Sequence, residues 1–157
     1  MYSTAREFFE AARSAALDAD RIRRQLDAME HRALSLGSGG FEPRVRSTSD
    51  PDRIGSTVST LLEQGDRLRE RADEDYRIID AACAILYGAD NRSGLYALVG
   101  WPADAIYHHY LALRTWDEVA RMMGYSTRHV QRSVDAALEL ADANGQMWTE
   151  LGIGLAQ

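Results

Sequence analysis

Apolar residues recur at alternating spacings of three and four from Ala5 through Phe8, Ala12, Ala15, Ala19, Ile22, Leu26, Met29 and Ala33. No Gly or Pro interrupts this run before Gly37. Such a seam belongs to a helix that packs along its length against another. Thr4-x-x-Glu7 is a capping-box signature, so the pattern predicts one long helix over residues 4–35.

A second seam follows the Gly37-Ser38-Gly39-Gly40-Phe41-Glu42-Pro43 stretch: Ile54, Val58, Leu61, Gly65, Leu68, Ala72, Asp75, Ile79, Ala82 and Leu86, with Tyr76 covering for the charged Asp75. Asp50 can cap this helix and Pro51 can open it, and it runs to about Tyr87. The linker 36–51 is short enough to fold the two helices antiparallel. Pairing Ala33 with Ile54 sets Asp18 beside Arg69, Asp20 beside Arg67, Arg24 beside Glu63 and Arg13 beside Glu74. Each such exposed pair is worth only about 0 to 1 kcal/mol. Residues 1–88 therefore read as a coiled-coil-like antiparallel helical hairpin.

Gly88 to Gly100 begins with Gly, Asn and Asp and reads as a break followed by a short apolar turn, making residues 89–100 a connector. Beyond it Pro102 opens a helix through about Leu113, and Thr115-x-x-Glu118 is a second capping box. Ser126 is an N-cap candidate for a helix reaching about Asp142, which Asn144-Gly145 stops. The expected fold is all-α: the long hairpin, then a small three-helix helix-turn-helix domain over 101–145. The tail 146–157 holds Met147, Trp148, Leu151, Ile153 and Leu155, which are expected to pack back onto the small domain.

The functional pattern lies in Thr115 to Arg132. A helix-turn-helix needs a small residue where its helices cross, a Gly four residues later for the turn, and apolar residues on both sides. Ala120 and Gly124 meet the first two needs, and Val119, Met123, Tyr125, Val130 and Val134 are the expected core. With Val130, Val134 and Ala137 turned inward, Thr127, Arg128, Gln131 and Arg132 face outward and His129 lies near the edge of that face. Arg can donate two hydrogen bonds to guanine and Gln can pair with adenine, while Ser126 and the amides of the helix start can hold a phosphate. The candidate DNA-binding residues are thus Ser126, Thr127, Arg128, His129, Gln131 and Arg132.

Residues 105–140 resemble region 4 of sigma-70-type factors, through Glu118-Val119-Ala120, Gly124, Ser126 and Val130. The wider layout of hairpin, Gly/Ser/Arg linker and Tyr110-Leu111-x-x-x-Thr115-Trp116-x-x-Val119-Ala120-x-x-Met123-Gly124-Tyr125-Ser126 resembles small phage-encoded sigma-like regulators of the ArpU/RinA type. That resemblance implies a sequence-specific transcription regulator, with double-stranded DNA as partner. RNA polymerase, or a second copy joined through the hairpin, is its expected protein contact. Small terminase subunits also join a helix-turn-helix to helical oligomerisation elements, and a protein-interaction adaptor is the reading without DNA.

Charge narrows these options. The net charge of −6 argues against non-specific coating of nucleic acid, which is driven by phosphate neutralisation, so any DNA contact must be local. All 18 basic residues are Arg; from Trp101 to Asp142 four of them (114, 121, 128, 132) stand against six acids (104, 117, 118, 135, 139, 142). Asp104 and His108 can share a helix face but have no third metal ligand at suitable spacing. Glu70, Asp73, Glu74 and Asp75 resemble the acid pairs of all-α nucleotide pyrophosphatases. The expected register, however, places Asp27 and Glu30 beside residues 57–60, so the acids read as a solvated face. No phosphate loop, Ser/His/Asp set or zinc spacing is present, and no enzyme, cofactor or metal is expected. The single Cys83 lies in an apolar helical stretch and reads as a structural thiol. Arg44 and Arg46 in the linker are the remaining candidates for phosphate contact. With no apolar leader or membrane-length apolar run, a soluble cytoplasmic protein is expected.

Overall fold

Thr4 starts the first helix. Its hydroxyl accepts the Glu7 N–H at 3.2 Å, and its carbonyl accepts the Phe8 N–H. The Glu7 carboxylate reaches back to the Ser3 N–H at 2.7 Å rather than to that of Thr4, so the predicted box closes one residue early. In this computed structural model, which describes residues 2–37, 51–90 and 93–144, α1 spans Ala5–Gly37 and α2 Pro51–Tyr87. Four shorter helices follow: α3 Gly94–Val99, α4 Trp101–Ile106, α5 Trp116–Met123 and α6 Thr127–Ala143. Every regular element among the described residues is helical, as expected. The linker with Asp50, Arg44 and Arg46, and the tail with Met147, Trp148, Leu151, Ile153 and Leu155, lie outside the described residues.

The chain divides into two compact units, Met1–Asp18 with Asp75–Gln157, and Ala19–Glu74. This differs from the expected division near residue 88. The first turns of α1 and the last turns of α2 belong to the same unit as the C-terminal helices.

In the unit Ala19–Glu74, α1 and α2 run antiparallel. Leu26 stands against Gly65, one turn further along α2 than the expected register, which set it beside Leu61. Ala33 and Val58 line one hollow of about 100 Å³ together with Met29, Leu61 and Leu62. The expected cross-helix pairs Asp20–Arg67 and Arg24–Glu63 give way to pairs within each helix: Arg23 and Arg24 to Asp20 at 2.9 and 2.6 Å, and Arg69 to Asp66 at 2.9 Å. Neighbours one turn apart on a helix are already within reach of each other, and an exposed cross-helix pair adds too little to set a register. The Arg23 hydrogen bond holds the Asp20 carboxyl below the usual carboxylate range.

The other unit owes its core to sequence-distant segments. Ala5, Phe8, Phe9 and Ala12 of α1 and Ala82, Ile85 and Leu86 of α2 join Leu95 of α3, Ala103, Ala105 and Ile106 of α4, and Tyr110. Val119 and Ala120 of α5 complete it with Val130, Val134, Ala137, Leu138 and Ala141 of α6. Phe9 meets Phe8 edge-on at 5.4 Å and Tyr110 at 5.8 Å between ring centroids. Gly94 makes the junction of α2 and α3 possible: its φ is +73°, and a Cβ there would sit 2.6 Å from the Ile85 carbonyl oxygen. No helix of the described residues is long and apolar enough to cross a membrane.

Because Phe9 is fully buried against Tyr110 and the small-residue core, Phe9→Ala is expected to cost about 3 to 5 kcal/mol, although it lies nearly a hundred residues from the C-terminal helices. Urea unfolding followed by near-ultraviolet circular dichroism measures it, and a cost under about 1 kcal/mol would show that the α1 end is not part of this core.

Candidate nucleic-acid interface

The predicted helix from Pro102 to Leu113 changes character midway: α4 ends at Ile106, and Tyr107–Leu111 continues as a π-helical turn. The Ala112 N–H bonds the Tyr107 carbonyl at 3.0 Å, and the Arg114 N–H bonds the His108 carbonyl at 3.0 Å. The widened turn leaves the His109 carbonyl to accept from the Arg13 guanidinium of α1. The His109 ring lies flat on Trp116, with centroids 3.6 Å apart, and its Nδ1 is 2.9 Å from the Arg114 carbonyl. A carbonyl only accepts, so Nδ1 carries the ring proton of neutral His109. Burial pushes the pKa of His109 down, as it does for His108, whose Nδ1 is buried with no partner.

Past this corner Thr115 caps α5 as expected. Its hydroxyl accepts the Glu118 N–H at 3.3 Å, and the Glu118 carboxylate accepts the Thr115 N–H at 2.7 Å. That backbone bond holds the Glu118 carboxyl below its ordinary range. α5 ends at Gly124, whose φ of +74° allows both its own N–H and that of Tyr125 to reach the Ala120 carbonyl. Ser126 then caps α6, its Oγ accepting the His129 N–H at 3.3 Å. Val119, Ala120, Val130 and Val134 are buried, and Met123 is half-buried against them.

Tyr125 departs from the expected core. It is 46 % exposed, its ring stacked on Trp101 at 4.7 Å. The left-handed Gly124 turns the chain so that residue 125 leaves α5 on the solvent side, where Trp101 offers a flat partner. His129 leans on both rings, at 5.0 Å from Tyr125 and 5.8 Å from Trp101, so a three-ring shelf flanks the start of α6. Trp101 carries no helix-turn-helix spacing that singles it out in the sequence.

Among the candidate DNA-binding residues, Ser126, Arg128, His129, Gln131 and Arg132 are exposed. Thr127 is half-buried, and its hydroxyl donates to Asp117 of α5 at 2.8 Å. It therefore ties the two helices together, and its proton is not free for a groove. The acids of the module are engaged in a similar way. Asp104 accepts the Tyr87 hydroxyl at 2.8 Å, Asp135 the Arg6 guanidinium at 2.6 Å, and Asp142 the Ala5 N–H at 2.6 Å, while Asp117 and Glu118 serve Thr127 and Thr115. Burial and that bond push the Tyr87 phenol well up, so it stays a donor at neutral pH. Five of the six carboxylates counted against DNA binding thus have donors inside the fold. Cys83 is half-buried in α2, and burial pushes its thiol up, away from the thiolate. No group of three or more His, Cys, Asp or Glu that could hold a metal occurs among the described residues.

No protein-family model, curated protein or solved structure matches the chain.

Two measurements check this corner. A Cβ at Gly124 meets nothing within 4 Å, so Gly124→Ala should cost only the left-handed backbone penalty, about 1 to 2 kcal/mol, with Gly124→Asn costing less. A cost well above this in thermal or urea unfolding would mean that the turn is tighter than described. His108 and His109 have folded pKa values below the ordinary value near 6.5. The unfolded chain then binds more protons as pH falls below that value, so the stability they contribute is present above it and lost on acidification. Melting temperatures at pH 7.5 and 5.5 should show this fall, and His109→Gln should reduce it; an equal fall in the variant would remove His109 from the account.

Proposed function

We propose that this chain is a sequence-specific DNA-binding transcription regulator of the sigma-like kind, non-enzymatic, with α6 as its recognition helix. The observation that carries this reading is the outward face of α6. Arg128, Gln131 and Arg132 are exposed there on a rigid helix whose opposite face is wholly apolar, and the turn and both caps before it are satisfied internally. Arg and Gln are the side chains that read guanine and adenine edges through paired hydrogen bonds. A helix set this way enters the major groove with its N-terminal residues first, and Ser126 and the first amides of α6 are the groups suited to hold a phosphate.

The engaged carboxylates support the same reading. An acidic chain can bind DNA where its negative charge is held away from the contact surface and its cations are free on it. The hairpin serves association: Val58 and Leu62 of the unit Ala19–Glu74 are exposed apolar residues suited to a second copy or to RNA polymerase. A two-fold dimer would place two recognition helices on half-sites about one DNA turn apart, whereas a monomer leaning on polymerase would read one element. A regulator of this kind works in the cytoplasm, where its DNA is.

Selection of bound duplexes from a random pool should return an enriched sequence. On that sequence Arg128→Ala or Arg132→Ala should weaken binding by about 1 to 3 kcal/mol and relax the preference at one position each, with unfolding unchanged. Failure to enrich any sequence, with the protein folded, would leave the protein-adaptor reading in place of this one.

A further inference from the structure

Asp135 lies seven residues after Arg128 and three after Arg132, which puts all three on one stripe of α6. An uncompensated carboxylate on that stripe would act in two ways. It would repel the phosphates flanking the groove, and at a spacing of three it would reach for the guanidinium of Arg132. In the structure its partner is instead Arg6 of α1: the guanidinium and the carboxylate are 2.6 Å apart, with their side chains 47 % and 51 % exposed. Two turns further along α6 the Ala5 N–H donates to Asp142 at 2.6 Å, so the start of α1 is laid along α6 by two bonds. In sequence Arg6 lies between the buried Ala5 and Phe8, so the core fixes the stretch of α1 from which its side chain starts, independently of the ion pair.

We propose that Arg6 is a positioning residue for DNA recognition, which withdraws the Asp135 carboxylate from the contact face and leaves Arg132 free to meet a base. This rests on the DNA-binding reading above. Removing Arg6 deletes a cation and releases an anion three residues from Arg132. Removing the Asp135 charge releases nothing harmful. The two substitutions therefore have unequal effects on the base preference that Arg132 sets, and combining them restores that preference, a readout that a purely structural ion pair would not move.

The test uses the full chain and a duplex selected from a random pool by the parent protein, with affinity measured at one fixed salt concentration. Arg6→Ala should weaken binding about ten-fold, the loss expected when one Arg–base contact goes, and should flatten the base preference at the position that Arg132→Ala flattens. Asp135→Asn should stay within about three-fold of the parent, and Arg6→Ala/Asp135→Asn should return to that range with the base preference restored. If Arg6→Ala lowers the melting temperature so far that the protein is not folded in the assay, Arg6→Gln, which keeps the polar stem, carries the same comparison. An Arg6 variant that binds like the parent, or a loss that persists in the double variant, overturns the proposal and leaves the DNA-binding reading intact. A parent protein that selects no duplex overturns both.

Discussion

The inner face of α6 is made of small and medium apolar residues, Val130, Val134, Ala137, Leu138 and Ala141, all buried. No single neighbour covers such a stripe: α4 and α5 both pack on it, α3 touches it, and the start of α1 is tied to it through Ala5 and Arg6. Removing that face from water is the condition for everything that α6 presents on the other side. Short helices of six and eight residues are marginal by themselves in water and take their stability from such packing. The polar ties then select one geometry among those that the apolar contacts allow. Thr127 bonds to Asp117, Gly124 lets two N–H groups converge on the Ala120 carbonyl, and Asp142 takes the first N–H of α1.

Much of this is legible in local sequence, because the rules involved are local. Caps, turn glycine and helical period each depend on residues within one or two turns, and Thr115, Gly124, Ser126 and the Val119–Val134 core stand where such rules place them. What escapes is what depends on distant residues or on near-equal energies. Arg6 lies 129 residues from its partner Asp135, and nothing in its surroundings in the chain marks it. The fusion of the two helix ends with the C-terminal helices is likewise invisible to a reading that places boundaries at glycines, since each long helix runs on through residues 18 and 75 with no Gly or Pro at either point.

Tyr125 shows a different limit. An aromatic residue after a turn glycine is an apolar residue by composition, and composition places it inside. Its actual place is decided by the exit direction from a left-handed Gly124 and by the availability of the Trp101 ring. Likewise the cross-helix matches Asp20–Arg67 and Arg24–Glu63 satisfy Coulomb's law as well as the pairs that Asp20 forms within α1. The latter win because i,i+3 and i,i+4 partners sit on the same rod and need no docking. The π-helical turn at Tyr107–Leu111 is a third case: its extra width is coupled to Arg13 and Trp116, which come from two other helices.

On α6 the apolar side chains that hold the fold and the polar ones that face outward form largely separate sets, with Thr127, Asp135 and Asp142 the polar residues that also tie the fold together. Substitutions at exposed positions such as 128, 131 and 132 then fall in the class that leaves stability nearly unchanged. Mutation can rewrite that outer surface without passing through unfolded intermediates, so the chemistry it presents is free to change while the architecture stays constant.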